Sequence, residues 1–305
     1  MIEAVQNLEG NIGVSTKIIK EKYAPKFISF SGSPAYDMSY ELENLDTSNI
    51  TNMNNMFNAC SRLTELDLSN FDTSKVSSMG NMFYNCSGLT ELDLSNFDTS
   101  KVVNMNSMFY NCSGLTELDL SNFDTSNVNS MVSMFSGMSS LKSLNIKFNT
   151  SKLTNCSSMF QNCYKITELD LSNFDISKVT NTSTLFYGCT SLIELGEIDV
   201  SGTNSIYSFI GNCPELVKLG GFKNLGKNFS TSIPANNSSY KLDLSYSKKL
   251  TEQSLINVLN NLYDIKARGC KTQQVLLGAT NLDKLTSDAG VTALGNASAK
   301  GWVVS

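Results

Sequence analysis

Histidine is absent from the 305 residues. That excludes Ser-His-Asp and Cys-His nucleophilic catalysis, histidine-built zinc hydrolases and the usual proton shuttle near neutral pH. No stretch reaches the roughly 18 apolar residues of a membrane-spanning helix. Basic runs are missing too, and the formal net charge is −5, which disfavours nucleic acid and anionic membranes as partners. Met1 to Lys20 lacks the apolar core of an export signal, being interrupted by Glu3, Gln6, Asn7 and Glu9, and no cell-wall sorting motif closes the C-terminus. The eight cysteines contain no C-x-x-C pair, so zinc-type ligand spacing is lacking. With 41% apolar and 17% charged residues, the chain is too apolar for disorder and long enough for a sizeable core.

What is present is a repeat. Leu63 opens LTELDLSNFDTSKVSSMGNMFYNCSG, Leu89 opens LTELDLSNFDTSKVVNMNSMFYNCSG, and Leu115, Leu141, Ile166, Leu192 and Leu216 open further units, the last one decaying. Tyr40, Leu42 and Leu45 match Leu66, Leu68 and Phe71, so a partial unit precedes the first. Self-similarity at a period of 24 to 26 residues marks a stacked architecture. Within one unit, Leu63, Leu66 and Leu68 read as a short strand with its inward residues apolar. Ser69-Asn70 and Asp72-Thr73-Ser74 read as turns whose side chains bond their own backbone. Val76, Met79, Met82 and Phe83 read as one apolar face of a helical or 3₁₀-like stretch. One unit cannot bury its apolar edge alone; stacked units can, with like residues in columns.

The columns account for the unusual composition. Met53, Met79, Met105 and Met131 form one, and Met56, Met82, Met108, Met134 and Met159 another, as core fillers rather than a methionine-rich metal site. Phe71, Phe97, Phe123, Phe148 and Phe174 make a third, and Phe57, Phe83, Phe109, Phe135, Phe160 and Phe186 a fourth. Cys60, Cys86, Cys112, Cys163, Cys189 and Cys213 share one position, with Met138 at the missing step. Parallel Cα–Cβ vectors suit a buried reduced column better than disulfides, and reactive thiols would need an exposed cysteine of low pKa.

Three surface features carry functional readings. Alternation turns Glu65, Asp67, Glu91, Asp93, Glu117, Asp119, Glu168 and Asp170 outward, with Glu194 in the same column. Such a ladder serves a cationic or polar ligand, Ca²⁺, or a solvated face that blocks sheet aggregation. Tyr84, Tyr110 and Tyr187 share one position and are either a row for stacking on sugar rings or the edge of the core. Gly221–Asn228 (GFKNLGKN) approximates a phosphate-binding loop, but Asn228 stands where a Mg²⁺-binding hydroxyl is required. The repeated carboxylates are equivalent to one another, whereas an acid–base pair needs one distinctive member, so no catalytic residue, cofactor or metal ligand is assigned.

The motif LxxLxLSNFDTSxVxxMxxMFxNCxx resembles the BspA-type leucine-rich repeats of bacterial surface proteins, mycoplasma lipoproteins among them. Ordinary leucine-rich repeats carry an asparagine after L-x-x-L-x-L. Here the phenylalanine column at Phe71 takes its place, so horseshoe curvature is not implied. The resemblance implies adhesion or recognition without catalytic residues. The expected fold is an α/β solenoid, a right-handed leucine-rich-repeat-like stack with a parallel β-sheet. Residues 1–39, with Tyr23–Gly32 as a first strand, form an N-terminal cap. Residues 40–238 form about seven units, and 239–305 a larger α/β C-terminal cap. In that cap Thr251 and Ser287 are placed to start helices. The cap together with the repeats is similar to proteins encoded in phages and prophages of gut bacteria. The expected role is a virion component, a tail fibre or tail tip, that binds a host glycan, cell-wall polymer or surface protein. It would be assembled in the host cytoplasm beside other virion proteins, as an oligomer if it forms a fibre. A bacterial cell-surface adhesin and a purely structural spacer are the alternatives.

Overall fold

The computed structural model of the chain describes residues 30–32, 42–171 and 174–305. Most of the expected N-terminal cap, including all of the Tyr23–Gly32 strand but its last three residues, and Tyr40 lie outside the described residues. The chain divides into two compact units, the first ending at Phe148 and the second beginning at Asn149.

In the first unit the apolar columns are buried as their period requires. Met79, Met82, Phe83, Cys86, Leu89 and their equivalents in the following repeat have no exposed surface. Each such side chain stabilises the fold by roughly 1.5–3 kcal/mol. Phe57 and Phe83 stack at 5.6 Å with their planes 5° apart, Phe83 and Phe109 also at 5.6 Å, and Phe109 and Phe135 at 5.8 Å. Phe30 extends the column, 5.6 Å from Phe57, and the N–H groups of Phe30 and Gly32 donate to Met56 and Asn58 carbonyls.

The stretch read as helical is not a helix. It is a run of turns with two left-handed residues per repeat, Asn81 (φ 55°) and Asn85 (φ 58°), then Ser107 (φ 53°) and Asn111 (φ 55°). The small polar side chains of Asn and Ser tolerate this region better than branched ones do. A left-handed residue every fourth position breaks the helical path. The N–H groups then divide between two partners. Met79, Asn81, Phe83 and Asn85 donate to carbonyls of Asn104, Asn106, Met108 and Tyr110 in the next repeat. Met82, Tyr84 and Cys86 donate to residues three back. Parallel bridges Asn52↔Ser78, Ser78↔Asn104 and Asn104↔Ser130 mark the same side of the repeat. On the side of the L-x-x-L-x-L motif, β1 (Glu117–Leu120) and β2 (Ser143–Ile146) pair in parallel.

Polar side chains complete the cross-repeat bonding. Thr73 and Thr99 are buried, and their hydroxyls donate to the carbonyls of Asp98 and Asp124. Asn96 Nδ2 donates to the carbonyls of Leu68 (3.0 Å), Ser69 (3.3 Å) and Phe71 (3.1 Å), and Asn122 repeats the pattern on Leu94, Ser95 and Phe97. These asparagines were expected to serve only their own turn. They instead tie each repeat to the one before it, so an asparagine bridge persists although Phe71 occupies the familiar asparagine position. Gly88 is required by a close approach: a Cβ there would lie 2.7 Å from the Leu63 carbonyl oxygen.

The second unit continues the local pattern. Ser158, Phe160 and Asn162 donate to Ser183, Leu185 and Tyr187 carbonyls. Phe160 stacks on Phe186 at 5.7 Å. Two-residue strands follow: β3 (Glu194–Leu195) pairs with β5 (Lys218–Leu219), and β4 (Ile198–Asp199) with β6 (Phe222–Lys223), all in parallel. At the C-terminal end, β7 (Leu242–Asp243), β8 (Gln273–Leu276) and β9 (Trp302–Val304) form a parallel three-stranded sheet. Helices α1 (Glu252–Asn260), α2 (Ala279–Leu282) and α3 (Asp288–Ala299) connect these strands. Thr251 and Ser287 cap α1 and α3, their hydroxyls accepting from the N–H groups of Ser254 and Gly290. Trp302 is buried and donates Nε1–H to the Tyr263 carbonyl at 2.9 Å.

Candidate functional site

In each unit the outward carboxylates are carried by the L-x-x-L-x-L segments. Glu65, Asp67, Glu91, Asp93, Glu117 and Asp119 are exposed in the first unit, and Glu168 and Asp170 in the second. The aspartates have two duties. Asp67, Asp93 and Asp119 each accept the N–H of the serine two residues on through Oδ1, at 2.8–2.9 Å. Main-chain and side-chain hydrogen bonds from Ser69 and Ser95 hold Asp67 and Asp93 below the usual carboxylate range, and those from Ser121 do so for Asp119. These carboxylates are therefore ionised, and turned outward by the turn they close.

The face is not uniformly apolar underneath. Leu68 is buried, but Leu66 and Leu92, expected inside, are half-buried. With Glu65, Asp67, Glu91 and Asp93 they line a hollow of about 310 Å³ that also reaches Ser69, Ser95 and Asn96. L-x-x-L-x-L spacing does not distinguish an inward from a half-inward leucine, so the hollow was not legible beforehand.

Two places on the face carry nitrogen donors. Asn145 Nδ2 donates to Asp119 Oδ2 at 3.0 Å, with the Lys147 charge beside it. In the second unit Glu194 bridges Glu168 and pairs in register with Lys218, whose Nζ lies 3.0 Å from Glu194 Oε2. Lys218 stands at the glutamate position of its repeat and was missed because that unit had decayed.

Of the expected tyrosine row, Tyr84 and Tyr110 lie in the first unit and Tyr187 in the second. Tyr84 and Tyr110 are half-buried and stack on each other at 4.6 Å, 7° apart. Each covers one face of the other, which removes those faces from any sugar. Tyr187 belongs to the second unit, is 36% exposed, and lies over Gly211. Gly221–Asn228 contains β6 and turns with no helix after it, and Asn228 Nδ2 bonds the Gly202 carbonyl. A phosphate loop needs a following helix N-terminus, so that resemblance ends here.

Seven of the eight cysteines are buried, and several donate across repeats. Cys86, Cys112 and Cys189 place Sγ 3.0, 3.0 and 3.1 Å from the carbonyl oxygens of Phe57, Phe83 and Phe160 in the preceding repeats. Burial pushes the Cys60, Cys112 and Cys213 thiols up to about 12, and all eight cysteines are free. Among the described residues no group of three His, Cys, Asp or Glu side chains is arranged to hold a metal ion.

Residues 29–142 and 113–218 match the family described as Mycoplasma protein of unknown function, DUF285, which covers more than half of the chain. The chain belongs to that family, and the match is consistent with the mycoplasma surface repeat proteins it resembles. No curated protein and no solved structure matches.

Proposed function

We propose that the chain is a non-enzymatic recognition protein. Its repeats wind as a right-handed leucine-rich-repeat-like solenoid and present the glutamate face to a repetitive surface polymer or protein. The observation that carries this reading is a division of labour within each repeat. Threonine, asparagine and cysteine side chains spend their hydrogen bonds on neighbouring repeats, while glutamates stand exposed at one position in five of the repeats, Glu65, Glu91, Glu117, Glu168 and Glu194. Equivalent exposed groups suit a ligand that is itself periodic, because many weak contacts multiply. A single catalytic centre would need one distinctive group, and the outward carboxylates repeat instead.

The setting we favour is a phage virion, at a tail fibre or tail tip, with a host glycan, cell-wall polymer or surface protein as ligand. It rests on the resemblance of the repeats with the α/β segment at 239–305 to phage-encoded proteins. A BspA-type adhesin on the bacterial surface is the second reading, and membership of a family described from Mycoplasma favours it. Sedimentation of the purified chain with isolated cell envelopes tests recognition; retention no better than that of an unrelated protein of equal net charge overturns it. Gold-labelled antibody microscopy of a culture before and after prophage induction tests the setting. Label on released particles supports a virion protein, and label on envelopes with bare particles supports the adhesin.

A further inference from the structure

We infer that the hollow on the first two complete repeats receives an extended, lysine- or arginine-bearing segment of a partner polypeptide. This rests on the recognition reading above and names the chemistry of its partner. The hollow has Leu66 and Leu92, half-buried, within a rim of Glu65, Asp67, Glu91 and Asp93. An aliphatic stem ending in a cation matches that order of surfaces, because lysine and arginine lay their methylenes on apolar ground and keep the charge at the edge.

The chain itself shows what this face accepts. At two places on it a nitrogen donor of the following repeat binds a carboxylate of the repeat before it. Lys218 Nζ reaches Glu194 at 3.0 Å, and Asn145 Nδ2 reaches Asp119 at 3.0 Å. Around the hollow the following repeats present carboxylates instead: Glu91 and Asp93 follow Glu65 and Asp67, and Glu117 and Asp119 come next. None of the ion pairs among the described residues involves the four rim carboxylates. The aspartates are fixed by Ser69 and Ser95 through Oδ1, so the rim is ordered before any partner arrives. Like charges left side by side at a strand spacing of about 4.8 Å repel, and a cationic chain relieves that repulsion.

The test uses the full chain and a fluorescein-labelled Gly-Lys-Ser-Lys-Ser-Lys-Gly peptide, with a Glu-for-Lys version as control, read by anisotropy at low salt. The lysine peptide is expected to bind at least about tenfold tighter than the glutamate peptide. E65Q/E91Q is expected to weaken binding about three- to tenfold with unchanged melting, as loss of two rim charges allows. E215Q removes one charge elsewhere, from the exposed Glu215–Lys249 pair, and is expected to leave binding unchanged. Equal binding by E65Q/E91Q and wild type overturns the inference. So does displacement of the peptide by CaCl₂ or spermidine at the peptide's own concentration, which would assign the hollow to a small cation. If envelope sedimentation persists while the lysine peptide fails to bind, this inference falls and the recognition reading stands; if both fail, the reading falls as well.

Discussion

The Thr73 hydroxyl and the main chain of Asp98, 25 residues apart, make a two-way bridge: the hydroxyl accepts the Asp98 N–H at 2.8 Å and donates to its carbonyl at 2.9 Å. Thr47 and Asp72 make the same bridge one repeat earlier. Both main-chain polar groups of one residue are thus satisfied by a single buried side chain. Thr73→Val keeps the shape and removes both bonds. It is expected to destabilise by about 1–3 kcal/mol, measured by urea unfolding, because it leaves a main-chain donor and acceptor unpaired beside the core. Thr73→Ser keeps the hydroxyl and should cost much less.

The left-handed positions give a signed pair of substitutions. Ser107 has φ 53°. Ser107→Gly relieves a backbone that glycine adopts freely and is expected to leave the melting temperature unchanged or raised. Ser107→Val places a branched side chain there and is expected to lower stability by about 1–3 kcal/mol. Had the segment been a helix, glycine would be the worse of the two.

The cysteine column predicts a thiol titration. Seven cysteines are buried and Cys270 is half-buried. At pH 8 the native chain should react with a thiol reagent at about one position, and at eight in denaturant. Burial raises the Cys112 pKa to about 12, above the unfolded value near 8.5, so its contribution is complete below about pH 8.5 and is lost as pH rises towards 12. Cys112→Asp puts an unpaired charge in that column and is expected to cost several kcal/mol, preventing folding of its repeat. Wild-type melting in that variant would show that the column is misassigned.

Acid should act through the turn caps. Asp72, Asp98 and Asp175 are held below the usual carboxylate range first by the side chains of Ser74, Ser100 and Ser177 and then by their N–H groups. A depressed folded pKa contributes stability above the unfolded value, near 3.9, and loses it as pH falls through the folded value. The melting temperature is therefore expected to be flat from about pH 7 down to about pH 4.5 and to fall below about pH 4. Asp98→Asn, which can still cap, should flatten that fall.

Much of this was legible in the sequence because apolar periodicity reports burial directly. The columns through Met79, Phe83 and Cys86 are buried, and Thr251 and Ser287 cap the helices they were placed to start. The path of the chain through Met79–Cys86 was not legible. Apolar residues three and four apart fit a helix face as well as a run of turns, and only the left-handed Asn81 and Asn85 separate the two. The bridging roles of Asn96 and Thr73 were hidden for a different reason: both are common turn formers, and a local bond looks the same in sequence as one made 25 residues away. On the candidate face, Glu65 and Asp67 were correctly turned outward, but the half-buried Leu66 beside them and the lysine that closes Glu194 appeared only with the structure.

The most direct test of the account is envelope binding by the triple variant E65Q/E91Q/E117Q, with its melting temperature measured alongside. These side chains are exposed, so the account predicts unchanged melting together with at least a severalfold loss of envelope binding. Unchanged melting with full binding would show that the repeats serve something other than recognition through this face.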